Sequence, residues 1–112
     1  MSSWLQKHFS SEQTQHDSVS TGTHKGKLSH ELIAAAASYE AAKAYEAHCE
    51  KQGKKPDHAE AKKIIAAVAG GFIDKLFETK GRDAIDNYEE KQAVKDKAQQ
   101  KTEAKLQSAG EM

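Results

Sequence analysis

Cysteine occurs once in this chain, at Cys49, so an internal disulfide is excluded and a reducing compartment is expected. Neither sign of charge dominates. Lys and Arg total 17 against 17 Asp and Glu, whereas a dedicated nucleic-acid binder would carry a basic excess. No apolar run approaches the roughly 20 residues that cross a bilayer. The opening MSSWLQKHFS lacks the basic-then-apolar order of a secretory leader, and Ser2 in place of glycine argues against N-myristoylation. A cytosolic address is therefore expected, with the nucleus open to so small a chain. β-Branched residues are scarce and nowhere alternate with polar ones, which excludes a sheet. Also absent are the zinc spacings CxxC and HExxH, a Gly-x-Ser-x-Gly elbow, a phosphate-cradling glycine loop and a dinucleotide fingerprint.

What the chain does hold is alanine in helical rhythm. In LSHELIAAAASYEAAKAYEAHC (28–49), Leu28, Leu32, Ala35, Tyr39, Ala42 and Cys49 recur at steps of four and three, broken only by Glu46. Such spacing draws one stripe along a helix. Ala34, Ala36, Ala37, Ala41 and Ala44 flank it and let neighbouring backbones come close. Ser29 suits the N-cap with Glu31 in the first turn, and Gly53 suits the left-handed end. After the polar turn KQGKKPD, Asp57 with Glu60 forms a capping-box pattern, Pro56 lying just outside. A second helix then runs to about Lys80 and stops at Gly81. Ala61, Ile65, Val68, Ala69, Phe72 and Leu76 line its main face, widened by Ile64, Ile73 and Phe77. Gly70 and Gly71 each cost a helix on the order of 1 kcal/mol against alanine. Close contact with the alanine-rich first helix is the expected compensation, and a ligand against bare backbone the alternative.

A third helix is expected from Asp83, with Ile85 and Tyr88 toward the core. Beyond it only Val94 and Leu106 are large aliphatics, although the residues are strong helix formers. A projecting or fraying helix, or one pairing with another subunit, is the expectation. At the other end, SSEQTQHDSVSTGTHKG (10–26) holds Val19 as its one aliphatic side chain and reads as a flexible arm. Before it, Trp4, Leu5, His8 and Phe9 fall at helical spacing; they could anchor a partner or fold back over an apolar groove.

The expected fold is thus all-α: an antiparallel helical hairpin plus a third, largely polar helix, with a flexible N-terminal arm. The corresponding division is 1–26 arm, 27–86 helical core domain and 87–112 polar helical extension. Roughly 60 residues then carry the burial, near the size where a single-chain core is marginal. A homo-oligomer is expected to supply the rest.

The wording of the core is also recognisable. KLSHELIAAAASYEAAKAYE, followed by HAEAKKIIAAVAGGFIDKLFETKGRDAID, resembles the CipC-like (concanamycin-induced protein C) antibiotic-response family of fungi. The most specific blocks are Lys27 to Ile33, Ala36 to Ala41, Asp74 with Lys75, and Glu78 to Gly81. The resemblance covers about Lys27 to Asp86 and departs at Ala35, where the family tends to carry glycine. It implies a cytosolic, stress-associated protein from a domain family of unknown function, and it transfers no catalytic residue.

Six histidines invite a metal. His48, Cys49 and His58 would lie near one end of a hairpin, yet adjacent His48 and Cys49 diverge by about 100° on a helix. No Glu stands three residues before any histidine, so the di-iron pattern is absent. No metal and no cofactor are expected. Ser29, His30 and Glu31 are hydrolase-triad types in the wrong geometry, since a triad converges from separate segments. Cys49 on the core stripe reads as a buried thiol.

The candidate ligand-binding residues are Tyr39, Glu40, Gly70, Gly71, Phe72, Asp74, Phe77 and Glu78, with Tyr45 able to offer a hydroxyl and Lys43 and Lys75 as counter-charges. Lys97, Lys101 and Lys105, near Lys91 and Lys95, form a stripe that could meet phosphate but reads as a solvated face. The function expected is that of a non-catalytic protein acting through self-association or partner binding. The alternative is a module that binds a hydrophobic metabolite or lipid in a cleft between the two core helices.

Overall fold

A computed structural model describes residues 3–21 and 26–112. Alanine decides the layout. Four α-helices occur among the described residues: α1 (Ser3–Thr21), α2 (His30–Gln52), α3 (His58–Lys80) and α4 (Lys91–Ser108). In α2 every residue from Leu32 to Tyr39 is buried, so the helix has no solvent face over about two turns. A helix apolar all round must be enclosed, and α1, α3 and α4 all pack against this one.

The helix ends follow the sequence signals. Ser29 Oγ accepts from Leu32 N–H at 3.1 Å, and Asp57 Oδ1 accepts from Glu60 N–H at 2.8 Å. Each such cap is worth about 1 kcal/mol. Gly53 ends α2 at φ 72°, its N–H donating to Cys49 O at 2.9 Å. A side chain there would meet the left-handed penalty, hence glycine.

Ties between distant residues fix the directions. Lys97 donates to Glu31 and Tyr45 donates to the Glu111 carbonyl, both across 66 residues, so α4 runs parallel to α2. Asp74 pairs with Lys91 and Lys95, and Lys62 with Glu103, so α3 runs antiparallel to α4. The antiparallel α2–α3 hairpin is thereby the centre of an all-α bundle.

Three expectations need correction. Ser3–Thr21 is a helix, kinked at Phe9, where a flexible arm was expected; residues 1–2 and 22–25 of that arm lie outside the described residues. Its Leu5, Phe9 and Val19 are buried against the core, the fold-back alternative. Hydrophobicity alone hid this, because the same stripe carries Glu12 and His16. Secondly, α4 does not project. It buries Val94, Ala98, Thr102 and Leu106, four steps apart on one face, and Thr102 Oγ1 donates back to Ala98 O at 2.7 Å. Small side chains suffice here because the facing surface is alanine. Thirdly, no helix begins at Asp83. Two 3-10 turns (Arg82–Ala84 and Tyr88–Glu90) flank a parallel bridge between Leu28 and Ile85. Leu28 N–H donates to Ala84 O at 2.8 Å and Asp86 N–H to Leu28 O at 3.0 Å. Asn87, at φ 50°, then breaks any helical run before α4. Ile85 and Tyr88 still face the core: Ile85 is buried, and Tyr88 lies 5.2 Å from the Phe77 ring.

Candidate functional site: a cleft closed by His16

Where α1 crosses the α2–α3 pair, its stripe presents an imidazole instead of an aliphatic group. His16 lies 5.1 Å from the Tyr39 ring and 5.7 Å from the Phe72 ring. Its Nε2 sits 2.7 Å from Glu40 Oε2 on α2, and Nδ1 lies 3.6 Å from Asp17 Oδ1. Beside the imidazole opens a cleft of about 490 Å³, lined by His16, Val19, Glu40, Phe72, Lys75, Leu76, Thr79 and Lys80. Val19, Phe72 and Leu76 give it an apolar floor, and the remaining residues give a charged rim.

Of the eight expected ligand-binding residues, three meet here. Tyr39 is buried beneath His16, with Lys43 Nζ 5.6 Å from its ring centre. Burial first, then the charges of Asp17, Glu40 and Glu46, push the Tyr39 hydroxyl pKa upward. Glu40 and Phe72 line the cleft. The other five face elsewhere. Phe77 is buried against Tyr88. Asp74 lies on the α4 side, 2.8 Å from Lys95 and 3.0 Å from Lys91, and those hydrogen bonds hold its carboxyl below the usual range. The expected partners Lys75 and Lys43 do not pair with it. Glu78 is exposed and does not line the cleft. Gly70 has Lys95 Cδ as its nearest neighbour, at 4.0 Å from where a Cβ would stand, and Gly71 faces open space. Neither glycine lets α2 approach, so the expected close packing is not what they provide.

The lysine stripe of α4 is not a free face. Lys91 and Lys95 hold Asp74 of α3, Lys97 holds Glu31 of α2, and Lys101 and Lys105 hold Glu12 of α1. Glu12 is only 3% exposed, with Oε2 3.0 Å from Lys105 and 3.3 Å from Lys101. Thus α4 is stapled by charge to each of the other helices. Glu12, His16, Val19, Thr79 and Lys80 escaped the sequence reading as functional residues. The available signal was Leu5, Phe9, Glu12, His16 and Val19, spaced 4, 3, 4, 3, with two polar members that break the apolar pattern.

A second hollow, of about 640 Å³, lies at the α2–α3 turn among His48, Gln52, Lys54, Lys55, Pro56, Asp57 and Glu60. Its lining is polar apart from Pro56. Among the described residues no group of three or more His, Cys, Asp or Glu is placed to hold a metal ion. Cys49 is half-buried, and burial raises its thiol pKa despite the hydrogen bond with Tyr45, leaving a poor nucleophile at neutral pH. No described helix is long and apolar enough to cross a membrane.

No curated protein and no solved structure matches the chain. A family model does, over residues 14–105, under the description virulence factor CipC-like. The match extends beyond the core blocks at both ends, taking in the second half of α1 with His16 and nearly all of α4 with its lysines. The match spans most of the chain, and the chain belongs to the CipC-like family.

Proposed function

We propose that the protein is a non-catalytic binding module, whose cleft between α2 and α3, overhung by α1, takes up a hydrophobic small molecule. The observation that carries this reading is the half-exposed Phe72 ring on an apolar floor, beside an imidazole already engaged by Glu40. Ligand sites of this kind pair an apolar surface with a few convergent polar groups. What supports the absence of catalysis is the placement of the reactive groups. The Ser38 hydroxyl is sealed in the core, and Cys49 lies outside the cleft lining, so no serine or cysteine nucleophile stands beside His16. A cytosolic role in a stress or antibiotic response, which the family resemblance implies, fits a module that sequesters a harmful compound.

Self-association, the other expected mode, loses its main motive. α1 and α4 supply, within one chain, the burial that a second copy was expected to provide.

The test is a thermal-shift screen with apolar and amphipathic compounds on the full chain, followed by NMR mapping. A ligand at 100 times its Kd adds about 2.7 kcal/mol, worth roughly 10 °C or more for a domain of this size. Shifts should centre on Phe72 and Leu76, and Phe72→Ala should remove them. No stabilisation across a broad panel would refute the reading.

A further inference from the structure

We infer that the ligand of this cleft is an organic anion, an apolar or aromatic body bearing one acidic head. The inference rests on the proposed function and deepens it. All five lysines on α4 named above bridge to Glu12, Glu31 or Asp74. Other described lysines, among them Lys43, Lys63, Lys75 and Lys80, have no ion-pair partner. Of these, Lys75 and Lys80 are the two that line the cleft. Glu40 is the one acid on the lining, and its Oε2 already has His16 Nε2 at 2.7 Å. The lining therefore offers two ammonium groups without an ion-pair partner, together with the hydroxyl of Thr79 and the apolar side chains of Phe72 and Leu76.

One effect opposes this assignment. The cleft lies at the C-terminal end of α3, where the helix carries about half a negative charge. The two ammonium charges still outweigh the Glu40 carboxylate and that half charge taken together, and Lys80 stands in the last turn where it offsets the dipole directly. An acidic head can accept from both lysines and from Thr79, while the body covers apolar surface that water now meets. A neutral ligand gains only the second term.

The experiment uses three matched probes, 1-naphthoate, 1-naphthalenemethanol and 1-naphthylmethylammonium, titrated into the full chain and followed by NMR. The same titrations are run on K75Q/K80Q, which alters two exposed positions. The acid should bind about tenfold tighter than the alcohol, the scale that two exposed ion pairs supply. That advantage should shrink in high salt. In K75Q/K80Q the acid should fall to the affinity of the alcohol, while the alcohol keeps its own. Equal binding of acid and alcohol, or tightest binding of the amine, with shifts at Phe72, would overturn the anion assignment and leave the cleft reading standing. If none of the three perturbs Phe72 or Leu76 at millimolar concentration, the cleft reading itself falls, and the anion assignment with it.

Discussion

Removing Lys105 should loosen the bundle more than removing the carboxylate it binds, although the two form one contact. Glu12 is 3% exposed, whereas the side chains of Lys101 and Lys105 are 35% and 33% exposed. Either lysine can swing into water when its partner goes; the carboxylate cannot. Lys105 also donates to the His8 carbonyl at 2.9 Å, beside the kink at Phe9, and its Nζ stands 5.5 Å from the Phe9 ring centre. Lys105→Met keeps the stem and deletes the charge. It leaves Glu12 buried with one partner, at 3.3 Å, and its Oε1 already lacks any. An under-compensated buried charge of this kind costs about 2–3 kcal/mol. Glu12→Gln removes the buried charge, sets its amide nitrogen where Oε1 already lacked a partner, and should cost about 1 kcal/mol. Once residue 12 is neutral, Lys105→Met loses only the His8 and Phe9 contacts, so the double variant should cost about 2 kcal/mol. The implied coupling is about 1–2 kcal/mol, measurable as a double-mutant cycle from urea unfolding of the four proteins. Additivity within about 0.5 kcal/mol, or a Glu12→Gln cost equal to that of Lys105→Met, would refute the staple.

Three further outcomes follow from the same geometry. Burial raises the Glu12 pKa, but the hydrogen bonds and charges from Lys105 and Lys101 prevail and hold it below the usual 4.5. A depressed folded value means stability that is complete above the unfolded pKa and lost as pH falls through the folded one. Stability of the natural protein should therefore decline more steeply below about pH 4.5 than that of Glu12→Gln; parallel acid limbs would contradict this. Gly71→Ala should raise stability by about 0.5–1 kcal/mol in thermal scans, because a helical glycine with no neighbour within 4 Å gains propensity and meets no clash. A loss would mean that the position lies against something. Ser38→Ala should be neutral or mildly stabilising, since its fully buried Oγ has no hydrogen-bond partner; a cost above about 1 kcal/mol would reveal a bond to that hydroxyl.

The two central helices were legible almost to the residue, because their ends are written in local chemistry. Ser29, Gly53, Asp57 and Gly81 each act within four positions of themselves, a range that sequence displays directly. The outer helices were not legible in the same way. What holds α1 and α4 is complementarity to a surface formed elsewhere in the chain. Ala98 and Thr102 count as core only because α2 offers alanine opposite, and Glu12 only because two lysines nearly a hundred residues away reach it. Sequence separation conceals such pairs. The candidate cleft was legible in part for the same reason: Tyr39, Glu40 and Phe72 stand on the two helices read correctly, whereas His16 sat in a segment read as a flexible arm. Asp74 was singled out with Lys43 and Lys75 as counter-charges, on α2 and α3, whereas its partners Lys91 and Lys95 belong to α4.

Polar members on the α1 stripe explain both how the bundle is held and why it has a cleft. A helix that packed only by hydrocarbon would carry aliphatic groups at positions 12 and 16. Glutamate at 12 exchanges nondirectional burial for a tie to two particular lysines, which fixes which face of α1 meets α4. Buried ionic groups add little net stability and are better at specifying arrangement. Histidine at 16 then lines the cleft. Its ring lies against Tyr39 and Phe72, and beside it the cleft opens toward Leu76 and Thr79. Local departures from core packing concentrate where a protein does something besides fold. In this bundle both departures lie one turn apart on the same helix. The first secures α1 in place, and the second gives that placement a consequence, an apolar hollow whose roof would be lost if Glu12 let go.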